Sequence, residues 1–181
     1  MSTHVPSIIG TDRPGLVEAL AGVVAEHGGN WERSHVTELA GTFAGVVLVT
    51  VPDARSAAFV AAAQGLHAEG LEVTVRGDRG GGDDAGGDPS AGGGELAFEL
   101  VGNDRPGIVR ELGALLASLD VSIVDLRSWT SSAAMAGGTL FHAAAVVRLP
   151  VGLAAAGLVE ELEGLANELM VDLTPIAPAP A

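Results

Sequence analysis

No lysine, cysteine or tyrosine occurs among the 181 residues of this chain, and each absence removes a class of chemistry. Without lysine there is no Schiff-base amine and no phosphate-cradling P-loop lysine. Without cysteine there is no thiol nucleophile, disulfide or thiolate metal site. Two Trp and four Phe are the whole aromatic complement, too few for the stacking platform of an RNA-binding sheet. Basic charge is scarce as well. Nine Arg stand against 23 Asp plus Glu, a formal net charge of −14. Such a chain has no electrostatic footprint for nucleic acid and is repelled by anionic membrane surfaces. Long apolar runs are missing too: Ala143 to Val159 is broken by Arg148 and Pro150, short of the roughly 18–20 residues a membrane span requires. Met1-Ser2-Thr3-His4 runs straight into a short apolar stretch, which is not a signal-peptide pattern. These readings predict a cytoplasmic protein with no direct nucleic-acid or membrane partner.

Catalytic and cofactor signatures are equally absent. The five His (His4, His27, His35, His67 and His142) show no HExxH or other metal-ligand spacing, so no metal site is expected. There is no Gly-x-Ser-x-Gly elbow. Gly10 and Gly15 have P-loop spacing, but Leu16-Val17 stands where Lys-Ser/Thr belongs. Asp83-Asp84 lies in a Gly-rich stretch, too mobile for positioned acid–base work. His35 and His142 read as structural strand residues, and Trp31 and Trp129 as packing at strand ends or a module interface. Neither a catalytic residue nor a cofactor is expected.

What is present is a repeat. Gly10-Thr11-Asp12-Arg13-Pro14-Gly15-Leu16-Val17 returns as Gly102-Asn103-Asp104-Arg105-Pro106-Gly107-Ile108-Val109. Each copy follows a short apolar run and precedes a helical pattern, so the repeat predicts two homologous modules. In the first, apolar strands at Val5–Gly10, Trp31–Leu39, Thr42–Val51 and Leu71–Arg76 alternate with helices over Pro14–His27 and from Pro52-Asp53 to the glycine at Gly70. Ala40-Gly41 is the tight turn of a hairpin. The second module repeats the order with strands at Leu96–Val101, Val121–Thr130, Thr139–Leu149 and Met170–Thr174. Its helices are read over Pro106–Leu119 and Val151–Leu169. In the last, Leu158, Leu162, Leu165 and Leu169 form the core stripe, and Glu160, Glu161, Glu163 and Glu168 lie mostly off it.

Residues 77–94 are half glycine and read as a flexible linker, and 175–181 as a frayed Pro/Ala tail. The organisation is thus 1–76 module one, 77–94 linker, 95–174 module two and 175–181 tail. The fold class is α+β: two ferredoxin-like βαββαβ modules, each a four-stranded antiparallel sheet with two helices on one face.

The repeated corner has a definite chemistry. Asp12 and Asp104 are placed to cap the first helical amides, with Pro14 and Pro106 entering the helix. Gly15 and Gly107 leave the backbone open to close approach. Unpaired helix N–H groups and the positive end of the dipole favour an anionic group such as a carboxylate.

On these residues the chain resembles the ACT domain, a small regulatory module that senses amino acids. It has the βαββαβ order, with Asp-Arg-Pro-Gly-Leu/Ile-Val between the first strand and first helix. The resemblance covers both modules. Two bare modules with no attached enzyme are most similar to the glycine cleavage system transcriptional repressor group. The resemblance implies a small amino-acid ligand of the glycine/serine class, held between one module's loop and the second strand of a neighbouring module. Carried over, the loop residues are Thr11, Asp12, Arg13, Pro14, Gly15 and Leu16, and in the second copy Asn103, Asp104, Arg105, Pro106, Gly107 and Ile108. Asn30 matches the family's Asn at the start of strand two. Ser122 takes that place in module two, a departure that sets the two sites apart. Helix amides would take the ligand's carboxylate, and Asp12 or Asp104 with Asn30 its ammonium. Arg13 and Arg105 read as ion-pair or partner-contact residues.

The implied protein is a non-enzymatic regulator acting on a partner protein, as a homodimer or an intrachain pair of modules. The alternative is a ligand-free dimerisation module that docks a transcription factor or enzyme through the acidic helix around Glu160–Glu168.

Overall fold

The computed structural model describes residues 1–77, 94–132, 138–169 and 171–176. Module one contains β1 (Ser2–Thr11), α1 (Leu16–Glu26), β2 (Asn30–Leu39), β3 (Thr42–Val51), α2 (Ser56–Gly65) and β4 (Leu71–Gly77). Module two contains β5 (Glu95–Asn103), α3 (Ile108–Ser118), β6 (Ser122–Ser132), β7 (Thr139–Arg148), α4 (Ala155–Leu169) and β8 (Val171–Ile176). The sheets run β2-β3-β1-β4 and β6-β7-β5-β8, with every pairing antiparallel. Each module is therefore a ferredoxin-like α+β unit, as the sequence predicts.

Alternation along the strands decides which sheet face is covered. In β1, His4 and Ile8 are buried whereas Val5 and Ile9 are exposed. In β5, Leu96, Phe98 and Leu100 point inward. The inward face of module one packs against Leu16, Leu20 and Val24 of α1 and Phe59 and Ala63 of α2. That of module two packs against Ile108, Leu112 and Leu116 of α3 and Leu158 and Leu162 of α4. Burying each large apolar side chain stabilises its module by about 1.5–3 kcal/mol before the entropy of ordering is counted. The connection Ala40-Gly41 has positive φ at both residues, 52° and 78°. This is the two-residue turn whose twist suits a hairpin.

Several boundaries differ from the sequence reading. Helices α1 and α3 begin at Leu16 and Ile108, two residues past the prolines expected to open them. Gly15 and Gly107 hold left-handed backbone, φ 94° and 100°, immediately before the first helical residue. Helix α4 begins at Ala155 rather than Val151, because Gly152 at φ 95° makes a turn first. Strand β8 extends through Pro175 and Ile176, which the sequence pattern assigned to the tail. β8 is a sheet edge, where a proline removes no obligatory ladder bond. Most of the linker (78–93), part of the β6–β7 connection (133–137), Met170 and the end of the tail (177–181) lie outside the described residues.

Candidate functional site

The two corners are built alike. The Asp12 N–H donates to the Gly41 carbonyl at 2.9 Å, and the Asp104 N–H to the Thr139 carbonyl at 2.8 Å. Each bond ties the corner to the hairpin of its own sheet. The Gly15 carbonyl then accepts from Ala19 N–H, and the Gly107 carbonyl from Glu111 N–H, both at 2.9 Å. No side chain caps either helix. The expected capping by Asp12 and Asp104 is therefore a correction: their backbones, not their carboxylates, hold the corner. Left-handed glycine occupies the cap position instead, so the first helical amides have no side-chain acceptor.

The glycines serve conformation first. A Cβ at Gly15 would meet nothing within 4 Å, so the left-handed φ, not crowding, requires glycine there. Leu16 and Ile108 are each 2% exposed, inside the two cores. They can offer a ligand only their backbone amides. Thr11, Asp12, Arg13, Pro14 and Gly15 are exposed, as are Asn103, Asp104, Arg105 and Pro106.

The corners differ in their arginines. Arg13 donates to the Glu69 carbonyl, beside the start of β4. Arg105 instead forks onto the Glu111 carboxylate, at 2.8 and 3.3 Å. That bond holds the Glu111 carboxyl below its ordinary value and raises the Arg105 guanidinium. Glu111 lies in the first turn of α3, and its Oε1 would come within 3.3 Å of a Cβ at Gly107. An anionic side chain thus already stands beside the α3 N-terminus. At the corresponding place α1 carries Ala19, its first-turn carboxylate being Glu18 one position earlier, and a Cβ at Gly15 would meet nothing within 4 Å.

The strand residues lie at the other end of each sheet. Asn30 pairs with Thr50, and Thr50 with Thr3, whereas Thr11 pairs with Thr42 and Thr42 with Leu39. The ten residues of β2 span about 30 Å between these ends. Ser122 likewise pairs with Arg148, far from the Asp104–Thr139 contact. One module alone cannot close its own corner and its own strand start on a single amino acid. At its end, Asn30 Nδ2 donates to Glu32 Oε1 at 2.9 Å, and Thr50 Oγ1 donates to the same oxygen at 2.9 Å. These bonds hold the Glu32 carboxyl below its ordinary value. Glu32 was not singled out from sequence, although its place two residues after Asn30 was visible.

The remaining histidines and tryptophans lie apart from the corners, with Trp129 exposed on β6. His142 stacks on Trp129, centroids 5.1 Å apart and planes 4° off parallel, with Ser131 Oγ 2.8 Å from His142 Nε2. Trp31 packs against the core of module one. His4 is buried against Phe59, its Nε2 3.0 Å from Ser56 Oγ. Among the described residues no group of three or more His, Asp or Glu could hold a metal ion, and no helix is long and apolar enough to cross a membrane.

Comparisons with known proteins agree with this architecture. Residues 4–76 match the family model of the ACT domain. A UPF0237 protein of Methanopyrus kandleri is 43% identical over 54 residues, which is 30% of this chain and 60% of that protein. The chain thus spans less than two thirds of the curated relative it matches. A solved structure of an unknown protein from Galdieria sulphuraria is similar over 98% of this chain and 99% of its own, with 27% identity and a TM-score of 0.82. A second, a candidate glycine cleavage system transcriptional repressor, aligns over 97% of this chain and 96% of its own, with 18% identity and a TM-score of 0.70. The last comparison bears on the fold alone.

Proposed function

We propose that this chain, with its two-module ACT architecture, is a non-enzymatic, cytoplasmic amino-acid sensor. Its ligand is a small amino acid of the glycine/serine class, and its output is the control of a partner protein in the regulation of amino-acid metabolism. The observation that carries the reading is the repeated uncapped corner. Two exposed loops, each pinned to its hairpin and closed by left-handed glycine, present helix N–H groups that no side chain takes up. Such a terminus suits a carboxylate.

Because corner and strand start lie at opposite ends of one sheet, the site would join the corner of one module to the strand start of another. The second module would belong to the same chain or to a second copy. Binding that engages two modules would favour their association, and this differential affinity is a route from ligand to partner.

The test is a thermal melt of the full chain against single amino acids, repeated on an Asp12→Ala/Asp104→Ala variant. A ligand present at 100 times its Kd should stabilise the chain by about 2.7 kcal/mol. The variant should melt like the parent without ligand and lose the ligand-induced shift. A flat panel at millimolar concentration would overturn the sensor. The exposed carboxylates Glu160, Glu161 and Glu163 of α4 would then point to the ligand-free adaptor, to be tested by partner binding.

A further inference from the structure

Both modules interrupt the second strand at the same place. The register of β2 against β3 shifts between Trp31 and Arg33, and that of β6 against β7 between Ile123 and Asp125. The extra residue is Glu32 in one case and Val124 in the other. A bulge re-aims the side chain it carries and is a recurrent device beside binding sites. Here the same device is loaded with opposite chemistry. In module one the bulge carboxylate is held by Asn30 and Thr50, both on one oxygen. The side chain is exposed. In module two Ser122 stands for Asn30, Val124 for Glu32 and Arg148 for Thr50. Val124 is 47% exposed, and Arg148 is paired with Glu95 at 3.0 Å.

We infer that Glu32, fixed by Asn30 and Thr50 on the β2 bulge, is the group that receives the ligand's ammonium, and that only module one supplies this half of the site. The inference rests on the sensor reading above and deepens it. An ammonium brings up to three N–H donors and needs acceptors. Asn30 donates its amide N–H to Glu32 and so fixes it, while its own carbonyl oxygen is only a neutral acceptor; the Glu32 carboxylate beside it is an anionic one. A charge-assisted bond from ammonium to carboxylate is stronger than one to a neutral amide. The β6 start offers a hydroxyl, an apolar side chain and an engaged cation. Its nearby carboxylates, Glu95 and Asp125, are already ion-paired, with Arg148 at 3.0 Å and with Arg127 at 3.2 Å.

Calorimetric titration of the full chain with glycine, serine and glycolate tests this, since glycolate keeps the carboxylate and replaces the ammonium with a hydroxyl. The parent should bind glycine or serine in preference to glycolate, with one equivalent per chain. Glu32→Gln should weaken the amino acid by about ten- to a hundredfold and leave glycolate unchanged. Thr50→Val, which removes one tether and keeps the charge, should have a smaller effect. Val124→Ala should change neither affinity nor stoichiometry. Melts of the variants without ligand separate lost binding from lost folding. Unchanged amino-acid affinity in Glu32→Gln, or two equal sites per chain, would overturn the inference while leaving the sensor standing. A parent that binds none of the amino acids would overturn both.

Discussion

The Arg105 guanidinium grips the Glu111 carboxylate in a two-pronged bond, 2.8 Å at its shorter arm, across the first turn of α3. Glu111 is thereby held below the ordinary glutamate value, chiefly by this hydrogen bond. A carboxyl whose folded value is depressed contributes stability above its unfolded value and loses it as pH falls through the folded one. The bridge should therefore be intact at neutral pH and open only in acid below the usual glutamate range. Carbon-13 NMR of the Glu111 side chain during an acid titration should show the lowered midpoint. Arg105→Ala should return it toward the ordinary value. Because the pair is solvent-exposed, the melting temperature should hardly respond.

Gly15 and Gly107 should each resist replacement for conformational reasons. Alanine at φ 94° or 100° is expected to cost about 1–2 kcal/mol, read from urea unfolding. Gly107→Ala should be the worse of the two, since its Cβ would also crowd Glu111 Oε1 at 3.3 Å.

Glycines inside regular elements should split by what surrounds them. Gly22 in α1 has nothing within 4 Å of a would-be Cβ, so Gly22→Ala should stabilise module one by about 0.8–1.0 kcal/mol through helix propensity. A Cβ at Gly45 in β3 would run into the His35 carbonyl and the Val36 backbone. Gly45→Ala should force β2 away from β3 and destabilise the same module. Opposite signs in parallel denaturant titrations check the pair.

Phe59 is fully buried, its ring 5.4 Å from that of His4 and 6.1 Å from that of His27. Phe59→Ala should cost about 3–5 kcal/mol. The size of the loss, measured by chemical denaturation, reports how far the His4 side of the core can collapse into the space left.

Much of the architecture follows from the residues read in order. The repeated Asp-Arg-Pro-Gly corner implied two modules, and alternating or helical apolar spacing placed twelve elements in their order. Those signals are short-range: periodicity within one element and turn chemistry at its ends are set by neighbours along the chain. Errors fell where a short-range rule had a rival. Asp12 is a good cap by type, but a left-handed Gly15 took the position and removed the geometry for it.

Sheet pairing decided the rest, and pairing is a long-range property. It put Thr11 beside the hairpin and Asn30 at the far end, about 30 Å apart within a module, a separation that the sequence did not display. It also set the bulge that brings Glu32 to Asn30 and Thr50. Register depends on which strands meet and where a ladder slips. Neither is written in local composition, so the repeat and the change from Asn30 to Ser122 were legible in the sequence, whereas the bulges that set Glu32 against Val124 emerged only once the strands were paired.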